Sequence, residues 1–401
     1  MLVADLTAQK AESQLTSSEL GFTYARIKLR SREEVWRLAE KQIRRRSLFL
    51  GSGFSAALGL PTTSQLSERL LSETHGDKSL DEFITVRIDE FGRRVFGWKD
   101  RMRPPSMEDH FTEIDLAANS GHHLGTKYGP KELRALRRMT IHRIFSLLKS
   151  PGAQVASAIQ VFKSLSEYFD VTIVTTNWDC EAESYLDLLR LTFNYGLDEI
   201  TQTGRQPPAK GLPVLKLHGC TNRGYCDCCR SIIRFEGIEE ALVTLHLLLK
   251  EEDFRLFEGS ERAVEVLRRL KMAHGAHAAA RACPDCGVGI SLRVGTFSYR
   301  KDLSPHAFYT VWDKAQTGLQ LARKWLFVGY SLPEADIEIR HLLKSAQLAR
   351  KNPAEVSIKV VLKGDGEAGD RFKRFFGLPD QYVFQCGLEQ WVAQHLNSYC
   401  Q

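Results

Sequence analysis

Ser47 to Leu66 reads SLFLGSGFSAALGLPTTSQL. Ser47-Leu48-Phe49-Leu50 is apolar enough for a short buried strand, and Phe54-Ser55-Ala56-Ala57-Leu58 can start a helix. Between them stands Gly51-Ser52-Gly53. A strand that empties through glycines into a helix start suits a phosphate: the backbone can come close, and the helix N-terminus offers N–H groups and a positive dipole end. The loop is not a P-loop, because no Lys-Ser/Thr pair follows, and Ala56 stands where a third glycine would complete G-x-G-x-x-G. The plain alternative is a tight strand-to-helix turn that holds no ligand.

The same alternation runs on through the chain. Phe169–Thr176, Leu212–Leu217, Trp325–Val328 and Val356–Leu362 are dense in β-branched and apolar residues, as fully buried strands are. Helical periodicity separates them at Cys180–Leu191, Ser304–Leu321 and Ile337–Ala349, and a last amphipathic helix covers Leu388–Leu396. Strand, helix and strand in repetition predict an α/β fold, a doubly wound, Rossmann-like parallel sheet covered on both faces. Further helices are expected at Ser31–Arg46, where Arg44-Arg45-Arg46 would sit well at a helix C-terminus, at Thr63–Leu71, after Ser106, and at Leu133–Leu148.

Composition narrows the class. The 401 residues suit one large domain with an insertion, or two domains. Apolar and charged fractions of 43% and 26% are ordinary for a soluble protein, and a net charge of +6 is too mild to indicate direct nucleic-acid binding. No apolar run approaches membrane-spanning length, and residues 1–30 carry no apolar signal core. A cytoplasmic location is therefore expected, in which the nine cysteines serve as thiols or metal ligands.

Three strand ends carry polar residues where ligands of open parallel sheets lie. Thr175-Thr176-Asn177-Trp178-Asp179 follows the strongest strand, although Asn177 or Asp179 can equally cap the next helix. Lys216-Leu217-His218-Gly219 ends another; a lone His is more often structural, yet a neutral imidazole can take a proton at neutral pH. Gly329-Tyr330-Ser331-Leu332-Pro333 ends a third, with Ser331 and Pro333 also suited to a helix start. Cys226-Asp227-Cys228-Cys229 and Cys283-Pro284-Asp285-Cys286 form two Cys-x-x-Cys knuckles, a strong pattern for a tetrahedral, structural Zn²⁺. Cys226, Cys229, Cys283 and Cys286 are the expected ligands, with Cys228 a rival for either of the first pair. The gap from Arg230 to Ala282 is far longer than the ~15–20 residues of a simple ribbon, and its periodicity (Ile238, Leu242, Leu245, Leu249, then Val264, Leu267, Leu270) predicts an inserted helical hairpin.

These stretches, in this order, resemble motifs of the sirtuin superfamily. GSGFSAALGLP is similar to its first nucleotide-binding motif, TTNWD to Thr-Gln-Asn-Ile-Asp and more closely to the Thr-Thr-Asn-Tyr-Asp form of a bacterial sirtuin-like branch, Leu217-His218-Gly219 to the catalytic histidine motif, and Gly329–Leu332 with Asp336 to Gly-Tyr-Ser-Leu-x-x-x-Asp of that branch. The resemblance implies an NAD-binding domain over 47–220 and 297–401, a zinc-ribbon module over 221–296, and an N-terminal arm and helix over 1–46. It implies His218 and Asn177 as catalytic residues. It implies cofactor contacts from Gly51, Ser52, Gly53, Phe54, Ser55, Pro61, Thr62, Asn177, Asp179, Gly329, Tyr330, Ser331 and Leu332. Two departures stand out. Thr62-Thr63-Ser64 replaces the x-Phe-Arg of family deacylases, and Val294–Tyr299 is a poor match to their Val-x-Phe-Gly-Glu strand. They point to NAD⁺ glycohydrolysis, the reaction of sirtuin-like effectors in bacterial anti-phage defence, gated by a protein partner or by homo-oligomer formation. An NAD-dependent protein deacylase and a non-catalytic NAD or ADP-ribose scaffold are the alternatives.

Overall fold

The computed structural model describes residues 45–72, 78–99, 103–149, 154–168, 170–201, 204, 210–235, 249–273, 282–303, 306–364 and 366–400. The helix expected up to residue 44, the arm before it, and Ile238, Leu242 and Leu245 of the expected hairpin lie outside them.

The sheet begins with β1 (Arg45–Leu50), two residues earlier than expected; Arg45 and Arg46 pair with Asp170 and Val171 and so belong to the strand rather than to a helix end. It is joined by β2 (Asp170–Thr175), β3 (Phe193–Asn194), β5 (Leu212–Lys216), β9 (Lys324–Val328), β10 (Ser357–Val361) and β11 (Val383–Phe384), in the order β11-β10-β9-β1-β2-β5-β3, every pairing parallel. The chain steps outward from β1 to β2 and β5, then returns to the other side of β1 for β9, β10 and β11. The carboxyl ends of β1 and β9 therefore flank the topological switch point, where open α/β sheets leave a crevice.

Alternation along each strand feeds two cores. Leu48, Leu50, Ile173, Val214 and Leu326 point to one face, covered by α6 (Ala156–Tyr168), α7 (Glu181–Leu188) and α13 (Gly387–Cys400). Phe49, Val174, Leu215, Trp325 and Phe327 point to the other, covered by α10 (His306–Leu321), α11 (Ile337–Leu348) and α12 (Gly366–Phe376). Each such side chain contributes about 1.5–3 kcal/mol on burial, so the pattern fixes which face every strand presents. The doubly wound parallel fold is the one the strand and helix periodicities predict.

A separate helical layer stands between β1 and β2. It comprises α1 (Ser52–Ala57), α2 (Thr63–Ser72), α3 (Lys78–Phe96), α4 (Met107–Ser120) and α5 (Pro130–Leu147). Ser106 caps α4 by accepting the Asp109 N–H at 3.0 Å, as its sequence suggests, and Gly121 closes the helix in the left-handed region. A fully buried Arg143–Asp81 ion pair, 3.1 Å, ties α5 to α3.

The small second sheet takes β4 (Glu199–Thr201), β6 (Arg223–Cys226), β7 (Ile232–Arg234) and β8 (Ile290–Ser291), in the order β4-β7-β6-β8. The chain between its knuckles forms α8 (Glu251–Phe254) and α9 (Glu261–Ala273). Val264 and Leu267 of α9 pack not on the small sheet but into the core of the helical layer, beside Leu80, Phe83 and Phe254. Arg138 of α5 grips Asp253 through two guanidinium nitrogens, one of them Nε at 2.6 Å. No described helix is long and apolar enough to cross a membrane.

Candidate active site

The glycine loop turns out to be a packing device first. The Gly51 N–H donates to Val328 O at 3.1 Å, and the Gly53 N–H to Gly329 O at 2.8 Å. A Cβ on Gly51 would stand 2.4 Å from Tyr330 Cα, and one on Gly53 would stand 2.8 Å from Gly329 Cα. Gly329 has φ +64, and a Cβ there would fall 2.0 Å from Phe54 N. The loops after β1 and β9 thus touch backbone to backbone at the switch point, which only glycine allows. The helix begins at Ser52, so Gly53 and Phe54 lie inside it, and the Phe54 N–H turns back to Gly51 O at 2.9 Å.

Several residues expected around a cofactor commit their side chains elsewhere. Phe54 is buried against Phe162. Tyr330 lies 4.7 Å from the Phe49 ring centre and donates its hydroxyl to Asp336 Oδ2 at 2.9 Å. Leu332, in the left-handed region, is fully buried in the same core. Pro61 is buried, and Ser331 is half-buried, its carbonyl accepting from Arg371 Nε at 3.0 Å. Hydroxyls remain at the loop: Thr63 Oγ1 donates to Ser52 Oγ at 3.4 Å, and Thr62 and Ser64 share a 3.0 Å contact.

Asn177 is held from two sides. Its Nδ2 donates to Gly51 O and to Ser55 Oγ, both at 2.9 Å, which spends both hydrogens of the amide nitrogen. Ser55 in turn donates to Asp179 Oδ2 at 2.9 Å, and Asp179 Oδ1 accepts the Glu181 N–H at 3.1 Å, at the start of α7. So Asp179 does serve the helix start, while Asn177 is fastened to the glycine loop. Burial raises the Asp179 pKa, although Lys216, the Glu181 N–H and Ser55 oppose it.

Beneath this frame lies a fully buried lysine. Lys216 Nζ pairs with Glu183 Oε1 at 2.9 Å and donates to the carbonyl of Asp179 and, at 3.5 Å, to that of Asn177. Burial works against its charge, but Cys220, Glu183, Cys180 and Asp179 together hold its pKa above the usual lysine value. Tyr195 closes the set by donating to Glu183 at 2.9 Å.

His218 follows on the neighbouring strand. Thr175 pairs with Lys216 in register, and the Leu217 N–H donates to Thr175 O at 2.9 Å, so Asn177 and His218 leave adjacent strands at one level. His218 is buried, and its Nε2 has no hydrogen-bond partner among the described residues. Burial pulls its pKa down to about 4; Asp336 raises it and Lys301 lowers it. The ring is therefore neutral at physiological pH. A buried ring nitrogen in this state can accept a hydrogen bond from water or from a ligand. The segment after the small sheet fixes the rest of the wall: the Gly295 N–H donates to His218 O at 2.9 Å, and Trp178 Nε1 donates to Gly295 O at 3.2 Å. Lys301 pairs with Asp336 at 3.1 Å.

The four expected metal ligands converge. The Sγ atoms of Cys226, Cys229, Cys283 and Cys286 all lie within 4.8 Å of one another, with Cys226–Cys286 and Cys229–Cys283 at 3.4 Å. Zn–S bonds of about 2.3 Å in a tetrahedron place sulfurs about 3.8 Å apart, so the donor set fits zinc. Cys228 is exposed and outside the cluster. Four thiolates leave no open position, which makes a bound metal structural.

Sequence reading missed Lys216, Glu183 and Lys301. A lysine at the end of a buried strand, directly before Leu-His-Gly, was the one available signal. The partner Glu183 comes from another element and carries no local signature, whereas Asp336 already stood in the match at Gly329–Leu332.

No protein-family model matches the chain, and no curated protein matches it. Solved structures do resemble it. A Sir2 homolog–NAD complex is 15% identical, with 91% of this chain and 95% of that chain covered, at TM-score 0.39. A Sir2 homologue mutant in complex with 2'-O-acetyl ADP ribose is 14% identical, with 91% and 97% covered, at TM-score 0.41. A Sir2–p53 peptide–NAD⁺ structure is 12% identical, with 92% and 99% covered, at TM-score 0.38. At that level of likeness the chemistry has to be read from the chain's own residues.

Proposed function

We propose that the protein is an NAD⁺ glycohydrolase that yields nicotinamide and ADP-ribose. The observation that carries this reading is the Nε2 of neutral, buried His218, without a hydrogen-bond partner among the described residues and level with Asn177 on the neighbouring strand end. NAD⁺ enters with its pyrophosphate near Ser52 and the Gly51–Ser55 turn, and its ribose toward Ser331 and Asn177 Oδ1. The bond from the ribose to nicotinamide breaks through an oxocarbenium-like state. Water adds to the same carbon, and His218 Nε2 takes the proton. Thr63 favours water as the acceptor, since by the motif resemblance it stands where a deacylase carries an apolar guard, with Ser64 in place of the arginine after it. Zinc would be held by Cys226, Cys229, Cys283 and Cys286 and would fix the small sheet.

The same motif resemblance supports an effector role in anti-phage defence. Unrestrained NAD⁺ loss would harm the host, so we propose a gate, supplied by a protein partner or by self-assembly. The domain division at 47–220 plus 297–401, with 221–296 inserted, is part of this reading.

The deciding experiment incubates the protein with NAD⁺, with and without an acetylated peptide, and follows nicotinamide, ADP-ribose and O-acetyl-ADP-ribose. Peptide-independent ADP-ribose is expected, and His218→Ala and Asn177→Ala should each lose about 10²-fold or more. O-acetyl-ADP-ribose formed only with peptide would make the enzyme a deacylase. Tight binding without turnover, in the isolated chain and in infected cells alike, would make it a scaffold.

A further inference from the structure

A second thiol cluster lies outside the zinc knuckles. Cys180 directly precedes α7 and follows Asp179, and Cys220 lies two residues beyond His218. Their Sγ atoms are 3.4 Å apart, and the Thr221 N–H donates to Trp178 O at 2.9 Å, so the two loops already run side by side. Cys220 is buried and Cys180 half-buried. Glu183 completes a group of three potential metal donors, but its Oε1 is 2.9 Å from the Lys216 ammonium, which sets a fixed cation where a metal would have to bind.

We propose that Cys180 and Cys220 form a reversible disulfide that clasps together the loops carrying Asn177 and His218. The oxidant is a hydroperoxide. The thiolate of the pair attacks the O–O bond, its sulfur keeps one oxygen as a sulfenic acid, and the departing oxygen leaves as hydroxide or alkoxide and takes the proton of the second thiol. That second thiolate then attacks the sulfenic sulfur: the S–S bond forms, the S–O bond breaks, and the hydroxide takes up the proton released when the first thiol ionised. Two thiols lose two electrons, and the peroxide gains them. Reactivity follows from the setting. Burial opposes ionisation of Cys220, but the hydrogen bond from Cys180 and the charge of Lys216 outweigh it and bring its pKa down to about 7. Cys220 thus supplies the thiolate, and half-buried Cys180, whose thiol pKa is held above its usual value by the hydrogen bond to Cys220 and by burial, is the second thiol beside it.

Closing from 3.4 Å to a disulfide of about 2.05 Å draws the loops together by roughly an ångström. Gly219, with φ +86, sits between His218 and Cys220 and can absorb the turn. A shift of that size at the loops of the catalytic pair is expected to slow nicotinamide release about tenfold to a hundredfold. This effect on turnover rests on the glycohydrolase reading; the disulfide itself does not.

The test treats the zinc-bound full chain with graded hydrogen peroxide, alkylates remaining thiols, and maps the peptides. The expected result is a Cys180–Cys220 cross-link, reversed by dithiothreitol, that forms while the zinc content stays constant. ADP-ribose affinity and NAD⁺ turnover should both change on oxidation, and neither should change in Cys180→Ser or Cys220→Ser. Cysteines that both stay open to alkylation, or a cross-link that appears only as zinc is lost, would overturn the proposal. So would a second equivalent of zinc that disappears in Cys220→Ser. A cross-link that alters neither affinity nor turnover would overturn the clasp. If the glycohydrolase reading alone fails, the cross-link and the affinity change remain.

Discussion

Lys216→Met is the substitution with the most to say about the site. The methionine fills the space of the lysine stem but removes the ammonium from Glu183, Asp179 O and Asn177 O. Glu183 is then a buried carboxylate without its cation, and breaking a buried pair from one side costs about 3–5 kcal/mol. The side chains are 1% and 5% exposed, so solvent cannot take the lost partner's place. With an m-value of about 3 kcal/mol/M, the urea midpoint should fall by about 1–1.7 M. The fluorescence of Trp178 and Trp325, one at the site and one in the sheet, would follow the transition. Adding Glu183→Leu should restore part of the loss, because the pair rather than either residue alone is then removed. Nicotinamide release should fall as well, since the carbonyls that hold the Asn177 loop lose their donor. A midpoint shift under about 0.3 M, or a double variant no more stable than Lys216→Met, would refute the argument.

The wild type should hold one zinc per chain; Cys283→Ser should lose it and Cys228→Ser keep it, read by metal analysis, and a well-folded zinc-free wild type would sink the ribbon. Gly53→Val should lower the melting temperature rather than act as a clean binding knock-out, because its side chain meets Gly329; a variant as stable as wild type that has lost only nucleotide affinity would return the loop to phosphate binding alone. His218 and His110 both have pKa values lowered to about 4 by burial, so the unfolded chain binds more protons between about 4 and the usual histidine value near 6.5. Their contribution, roughly 3 kcal/mol each, is complete above pH 6.5 and disappears as pH falls to about 4; denaturation midpoints at pH 7 and 5 that coincide would contradict it. For the same reason base catalysis by His218 should persist down to pH 5, and an inflection near 6.5 in the rate profile would show that the ring is solvated.

Much of the sheet could be read from the chain because its strands are buried on both faces and form apolar runs such as Val171–Thr175 and Trp325–Val328. The two-residue strands β3 and β11 could not, since so short an edge has no periodicity. Asn177, His218 and the glycines were marked by their place at strand ends. What each does was not, because function there depends on partners far away in sequence: Gly51 was read as room for phosphate, yet the space beside it belongs to Tyr330. Local spacing marked the cysteines of the metal-binding cluster, leaving only Cys228 as a rival, whereas the Cys180–Cys220 contact joins residues 40 apart and left no trace. The docking of α9 was equally hidden: its apolar stripe predicts a helix but does not name the surface it will meet.

That docking gives the zinc a second consequence. Cys229 and Cys283 are 54 positions apart, and the chain between them includes α8 and α9, which help build the core of the helical layer. A metal bound to both knuckles closes this stretch into a ring. Ring closure of that length removes about 4 kcal/mol of disorder from the unfolded chain if zinc acts as a covalent link does. The benefit falls on the helical layer as much as on the ribbon, so chelation should loosen Phe83, Phe254 and Leu267, which touch no metal. A chelator added to the folded protein would then act at a distance, and amide exchange in α3 and α9 would rise together with exchange at the knuckles.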